Sequence, residues 1–372
     1  MPDVATQTEN IESFSNQDKE EQKNLKLEGI KTLILSGGFI VGYCFVGFIK
    51  YLFDTLGAER VNKQITTVIS SSVGCLIGLV LVMGCSYEEI IYITYKHKFS
   101  NYENFDYLNI LEFNKNYGVD NGEKFVQLIK NIIAYKGYSP YITFGELYKE
   151  TKKTLVFTGT NLDSENSTEY FSHLTTPDMP VWLGLRISTS LPFFYNVIKY
   201  KNNHYIDGGV SSSTPIEGYQ IITRRTFEED KDNILVIILG KINKYFDYGD
   251  CNQDEGLFNN DDNDNDNDNE NDNYNNNSSG ENNENGNCSF GFQEKNNNTI
   301  GFMSFIMKFI KSMRYSEKCR VVKYKKNILE LYPPDNIEGH NSSLSYKENL
   351  TDQDVNKYLE QGYKLTKEFF NN

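Results

Sequence analysis

Three consecutive serines, Ser70, Ser71 and Ser72, stand between two apolar runs in the stretch ITTVISSSVGCLIG, residues 65–78. Read as strand, tight turn and helix, the stretch holds one hydroxyl at the tip of a sharp bend, facing the N-terminus of the following helix. That is how a serine nucleophile is presented. A sharp elbow crowds its two chain segments together and requires very small residues two positions before and two after the nucleophile. Ser72 meets this rule, with Ser70 before it and Gly74 after it, whereas Ser71 would have Val73 at its second position. Two other turns carry candidate chemistry: Gly37-Gly38 after the run KTLILS, and Asp207-Gly208-Gly209 after residues 193–206. Each is an ordinary turn signal by itself. In a parallel sheet, however, the loops after the strands gather at the carboxyl edge, where ligands bind, so one site can contain all three.

The serine stretch also has plainer readings. It fits a buried strand and helix without chemistry. Because residues 65–87 carry no charge, it also fits a membrane span that would anchor a scaffold protein. Thr66, Thr67 and the serines interrupt that run, and the unbroken apolar part after them is about ten residues, the length of a core helix rather than a span.

The elements that must position these residues follow from periodicity. Residues 31–36 form a short strand, and Cys44, Phe45, Phe48, Ile49 and Leu52 then recur at helical spacing, which makes a first βα unit. Residues 65–70 and 74–83 make a second. Two βα units in succession predict a parallel sheet with right-handed crossovers and helices on its faces. Helices are expected over 87–95, 123–135 and 144–153, and strands over 155–159 and 170–174. A helix opens at Pro180, in the first-turn position that proline favours, and is stopped by Pro192. Residues 193–206 hold two short β-prone pieces. The continuous run ILVIIL, residues 234–239, suits the buried centre of a parallel sheet. A helix over 300–314, a strand over 328–332 and a helix over 352–370 complete the chain.

The 372 residues are enough to bury a sizeable core. The formal charge of -14 is concentrated in two segments: residues 1–30 carry -4 and residues 251–298 carry -11, which leaves the remainder at +1. This near-neutral remainder gives no electrostatic reason to expect a nucleic-acid partner. Residues 1–28 read as a disordered acidic tail without the features of a signal peptide. Residues 252–298, rich in Asp and Asn, read as a disordered insertion within a domain spanning 29–372. Alternating Asp and Asn there lack the glycine and glutamate positions of a calcium loop, so no metal or cofactor is expected. Six cysteines without a CxxC pair, three of them in apolar runs, suit buried free thiols in a reducing, cytoplasmic compartment.

Taken together, the motifs resemble the patatin-like phospholipase family. The residues concerned are Gly37-Gly38-Phe39-Ile40-Val41-Gly42 for its glycine-rich loop, Ser70-Ser71-Ser72-Val73-Gly74 for its GxSxG elbow, and Asp207-Gly208-Gly209 for its DG[GA] motif. The segment LRISTSLPFFYNVIKYKNNHYIDGG is similar to the stretch that precedes the family's aspartate. The resemblance implies a three-layer α/β/α fold with a mainly parallel central sheet. It implies a lipid acyl hydrolase of phospholipase A type, with Ser72 and Asp207 as a catalytic dyad and N–H groups of Gly37, Gly38 and Phe39 as the oxyanion hole. Phospholipid or another acyl-ester lipid is then the substrate, with peripheral contact to a membrane. Phe39 replaces the loop's third glycine, Val41 its usual cation, and Ser70 the first elbow glycine. The first two changes raise a second expectation, a catalytically impaired relative that binds lipid or acyl chains. His204, three residues before Asp207, offers the alternative of a Ser/His/Asp triad.

Overall fold

The computed structural model of the chain describes residues 27–96, 111–241, 324–334 and 350–371. All of them fall in one of the two compact units into which the chain divides; the other, Lys244–Ile300, contains none. The acidic insertion and the helix expected over 300–314 therefore lie outside the described residues, as do residues 1–26. Leu27, placed by composition in the acidic tail, is instead part of the core at 1 % exposure, its carbonyl held by the Gln64 side chain at 2.6 Å.

Strand β1 (Thr32–Leu35) leads through a 3-10 turn (Phe39–Gly42) into helix α1 (Tyr43–Leu56), followed by α2 (Ala58–Gln64). Next come β2 (Thr67–Ser70), α3 (Val73–Val82) and α4 (Tyr87–Lys96). β3 (Gly118–Asp120), α5 (Glu123–Tyr135) and α6 (Phe144–Thr151) precede the eight-residue β4 (Thr154–Asn161) and β5 (Thr168–Phe171). Helix α7 (Val181–Ser188) leads to β6 (Phe193–Tyr195), β7 (Ile198–Tyr200) and β8 (Asn203–Asp207). α8 (Glu217–Thr223), β9 (Ile234–Leu239), β10 (Ile328–Leu331) and α9 (Asp352–Asn371) follow, with short helical turns such as Phe113–Asn116 and Phe227–Asp230 between the larger elements.

Strands β10, β9, β1, β2 and β4 lie side by side and parallel. Their residues alternate between two faces, as the strand period of two demands. Leu33, Leu35, Val68, Leu155, Phe157, Leu235 and Ile237 pack with α1, α3, α5 and α9. On the other face the register aligns Val236, Ile34, Ile69 and Val156 in one row across four strands, each fully buried beneath α8 and Phe227. Burying an aliphatic side chain of this size contributes about 1.5–3 kcal/mol. The expected three layers are present, and the ILVIIL strand is buried as expected, but it is second from the β10 edge of the sheet rather than at its centre.

Three strands depart from the parallel pattern, and the register shows why this matters. Gly159 and Thr160 of β4 pair antiparallel with both β5 and β8, so those two strands lie on opposite sides of β4. Phe157 pairs with Ser70 on one side and Phe171 on the other, which puts β5 away from β2. Strand β8 therefore continues the line of β2 along the same side of β4, running the opposite way. Asp207 reaches the carboxyl edge of the sheet from above rather than at the end of a parallel strand.

Smaller differences also have local causes. Pro180 caps α7 from outside in extended conformation (φ -60, ψ 135), held by a bridge to Thr143, instead of occupying the first helical turn. β5 ends at Phe171 because the Ser172 hydroxyl accepts the Leu174 and Thr175 N–H groups and turns the chain. The membrane-span reading of residues 65–87 fails, since that stretch is a strand and the ten-residue α3, and a span needs about 20 residues. Residues Phe39–Leu56 are long and apolar enough to span, but 67 % of that stretch is buried inside the protein.

Candidate active site

The site is assembled where β2 and β8 meet. Ser72 follows β2 and immediately precedes α3, with φ 51 and ψ -127. These angles belong to the first corner of a type II′ turn, a region an L residue seldom occupies. The bend is possible because its neighbours are small. A Cβ on Gly74 would lie 2.9 Å from the carbonyl oxygens of both Leu35 and Ser36. Ser70, in place of glycine, is accommodated because its hydroxyl donates to Val156 O at 3.2 Å. Ser71 points into the interior, fully buried. Ser72 is only half-buried, and its hydroxyl donates to Asp207 Oδ2 at 2.8 Å.

Asp207 is 2 % exposed and fixed at every polar atom. Its Oδ1 accepts the Gly209 N–H at 2.7 Å, its carbonyl accepts the Thr160 hydroxyl at 2.8 Å, and its N–H donates to Ser190 O at 2.8 Å. Gly208 lies against Thr158, where a Cβ would approach Thr158 Oγ1 to 2.2 Å. Nearby, the buried Arg186 donates to the Ser190 hydroxyl at 2.5 Å and stacks on the Tyr195 ring, 4.5 Å from its centroid. Burial pulls its pKa down to about 10, against the opposing pull of Tyr195 and Asp120, so it remains a cation near neutral pH.

The glycine loop approaches the serine closely: a Cβ on Gly37 would sit 3.0 Å from Ser72 Cβ. Its N–H, however, donates to Ser213 O at 3.0 Å. The Gly37 N–H, expected among the oxyanion donors, is thus engaged here, and Gly37 is the point where the loop is pinned. Gly38 N–H has no acceptor among the described residues, and the side chain of Leu239 leaves no space for a Cβ there. Phe39 adopts a left-handed φ of 52, a conformation that favours the glycine it replaces. Val41 is buried at 3 %, where an unpaired cation would be costly.

His204 does not join the site. It is exposed on β8 and bound to Asp163 Oδ2, 3.0 Å from its Nδ1, so the triad alternative has no support. One participant escaped sequence reasoning: Ser188 accepts the Ser72 N–H at 3.0 Å. It lay within the segment before the aspartate, but nothing in its residue type marked a role. The helix N-terminus expected to follow the serine is present, with Val73 at the first position of α3. No group of metal-ligating side chains occurs among the described residues.

Sheet, elbow and buried aspartate define an α/β fold that brings a serine at a strand-to-helix turn against a carboxylate, and the comparisons with known proteins are specific. Residues 33–218 match the model of the patatin-like phospholipase family, half of the chain, and the chain belongs to that family. It is 30 % identical over 233 residues to uncharacterized protein R571 of Acanthamoeba polyphaga mimivirus, covering 61 % of this chain and 75 % of that protein. It is 32 % identical over 194 residues to probable lipid hydrolase 463L of Invertebrate iridescent virus 6, covering 52 % of this chain and 64 % of the relative. Among solved structures, VipD from Legionella pneumophila is 13 % identical with a TM-score of 0.45, over 92 % of this chain and 66 % of VipD. The type III effector ExoU is 11 % identical with a TM-score of 0.43, over 92 % of this chain and 53 % of the effector.

Proposed function

We propose that the protein is a lipid acyl hydrolase of phospholipase A type, acting through a Ser72/Asp207 dyad and an acyl-enzyme. Membership of the patatin-like phospholipase family supports lipid hydrolysis. The single observation that carries the dyad is the 2.8 Å hydrogen bond from the Ser72 hydroxyl to a buried carboxylate whose other oxygen is already anchored by Gly209.

In this reading Ser72 Oγ attacks the ester carbonyl carbon while its proton passes to Asp207 Oδ2. The carbonyl oxygen becomes an oxyanion, stabilised by N–H groups of Gly38, Phe39 and Val73. On collapse the bond to the alcohol breaks, Asp207 returns the proton to the departing oxygen, and the acyl group remains on Ser72. Water then attacks the acyl-enzyme, giving its proton to Asp207, and the fatty acid leaves as the serine is restored. An aspartate is a weak base toward a serine hydroxyl, so the reaction depends heavily on the preorganised donors. The substrate is a phospholipid or another acyl-ester lipid, met by peripheral contact with a membrane inside the cell. The near-neutral charge outside the two acidic segments gives nucleic acid no part.

A specific observation favours a second reading, an impaired relative that binds lipid without turning it over. Phe39 holds a left-handed conformation in the loop that must aim the donors, and Gly37 N–H is already engaged. Fatty-acid release from phosphatidylcholine vesicles and from a neutral acyl ester separates the two. Release that disappears in Ser72→Ala supports the hydrolase, and vesicle binding without release by folded wild type supports the second reading.

A further inference from the structure

We propose that Ser188 is a positioning residue that sets the Ser72 hydroxyl against Asp207, an inference that rests on the dyad reading. Ser188 is the last residue of α7 and is fully buried. Its Oγ accepts the Ser72 N–H at 3.0 Å, and its carbonyl oxygen accepts the Gly208 N–H at 3.3 Å. Two residues further on, Ser190 O accepts the Asp207 N–H at 2.8 Å. One helix end thus grips the backbone of both members of the dyad. The carbonyls at a helix C-terminus lack partners within the helix, and here the segment carrying Asp207 supplies them.

The bond to Ser72 matters because of the serine's backbone. A residue at φ 51, ψ -127 keeps that conformation only where its surroundings over-determine it. The Ser72 N–H is the hinge of the turn, and the Ser188 hydroxyl is its acceptor. Cys75, one helical turn beyond, places its Sγ 3.1 Å from the same Oγ. Burial, above all, pushes the Cys75 thiol up to about 12, so it stays a donor near neutral pH and occupies the second lone pair of the hydroxyl. Without Ser188 Oγ, the Ser72 N–H loses its partner and the turn relaxes toward a commoner conformation, which swings the nucleophile off the carboxylate. Misplacing a reacting group by about 1 Å costs on the order of 100-fold in rate.

The test is the second-order rate at which a fluorophosphonate probe modifies Ser72, followed by mass spectrometry of the intact protein. It is paired with kcat and KM on a soluble acyl ester. Ser188→Ala is expected to label about 10- to 100-fold more slowly and to lose kcat at unchanged KM. Ser188→Thr and Ser188→Val, equal in shape and different only in the hydroxyl, separate the bond from packing even if the alanine variant does not fold. Threonine is expected to outpace valine at least tenfold. Equal rates for threonine and valine overturn the proposal alone. A folded wild type with no adduct on Ser72 removes the dyad reading and this proposal with it.

Discussion

Ser72 and Asp207, 135 residues apart in sequence, meet at 2.8 Å because their strands approach each other head-on along one side of β4. Ser70 pairs with Phe157 and Asp207 pairs with Gly159, two positions further along the same strand. At about 3.3 Å per residue this leaves roughly 7 Å between the two strand ends, a gap that the elbow at Ser72 fills. The Ser72–Asp207 contact is set by sheet pairing, and a rigid sheet is a better support for such a constellation than a loop.

Gly38→Ala tests the oxyanion loop. Its new Cβ would fall 2.4 Å from Leu239 Cβ and 2.5 Å from Leu239 Cδ1, so the loop must move and carry its N–H away from the site. Loss of one such donor costs about 100- to 1,000-fold in rate. We expect a fall of that order in kcat with the circular dichroism spectrum preserved.

Phe39→Gly trades packing for backbone freedom. A left-handed non-glycine residue is strained by about 1–2 kcal/mol, which glycine relieves. The Phe39 ring, however, packs on Leu191 and Phe194, and losing a partly buried aromatic outweighs that relief. The variant is expected to unfold at lower urea, by about 1–2 kcal/mol, while hydrolysing esters faster than wild type. Unchanged activity would show that the Phe39 N–H is already well aimed.

A histidine base would make activity fall as pH drops through about 6.5. With Asp207 as the base, the pH profile of kcat/KM does not depend on any histidine. His204→Ala, which removes a surface contact with Asp163, should leave that profile unchanged. An inflection near 6.5 that vanishes in His204→Ala would reinstate the triad.

Stability toward acid depends in part on Glu89. Burial raises its pKa, but the hydrogen bond and charge of Lys136 and the Ser86 N–H outweigh this, so the net shift is downward. A carboxylate with a depressed folded pKa contributes stability above its unfolded value, about 4.3, and loses it as pH falls through the folded value. Glu89→Gln should therefore lower the urea midpoint at pH 7, and the gap from wild type should shrink toward pH 3.

Much of this architecture was legible in the sequence because its signals are local. The small-residue rule selected Ser72 over Ser71 from neighbours two positions away, and helical spacing marked α5 at residues 123–135 with the bounds it has. What escaped is non-local. Strands of three to five residues such as β7 and β8 carry no signal of direction, so the antiparallel arrival of Asp207 could not be read. The engagement of Gly37 N–H by Ser213 links residues 176 positions apart, and a glycine turn reads the same whether its N–H is free or bound. Ser188 looked like any serine near a helix end, since its role comes from a partner 116 residues away.

The central claim is that Ser72 is a nucleophile activated by Asp207. The most direct measurement is the stoichiometry and rate of fluorophosphonate modification of the full chain, read by intact mass with the modified peptide identified. The account predicts one adduct, on Ser72, absent from Ser72→Ala and formed at least about 100-fold more slowly in Asp207→Asn. A folded wild type that takes no adduct, or an adduct that persists in Ser72→Ala, would contradict it.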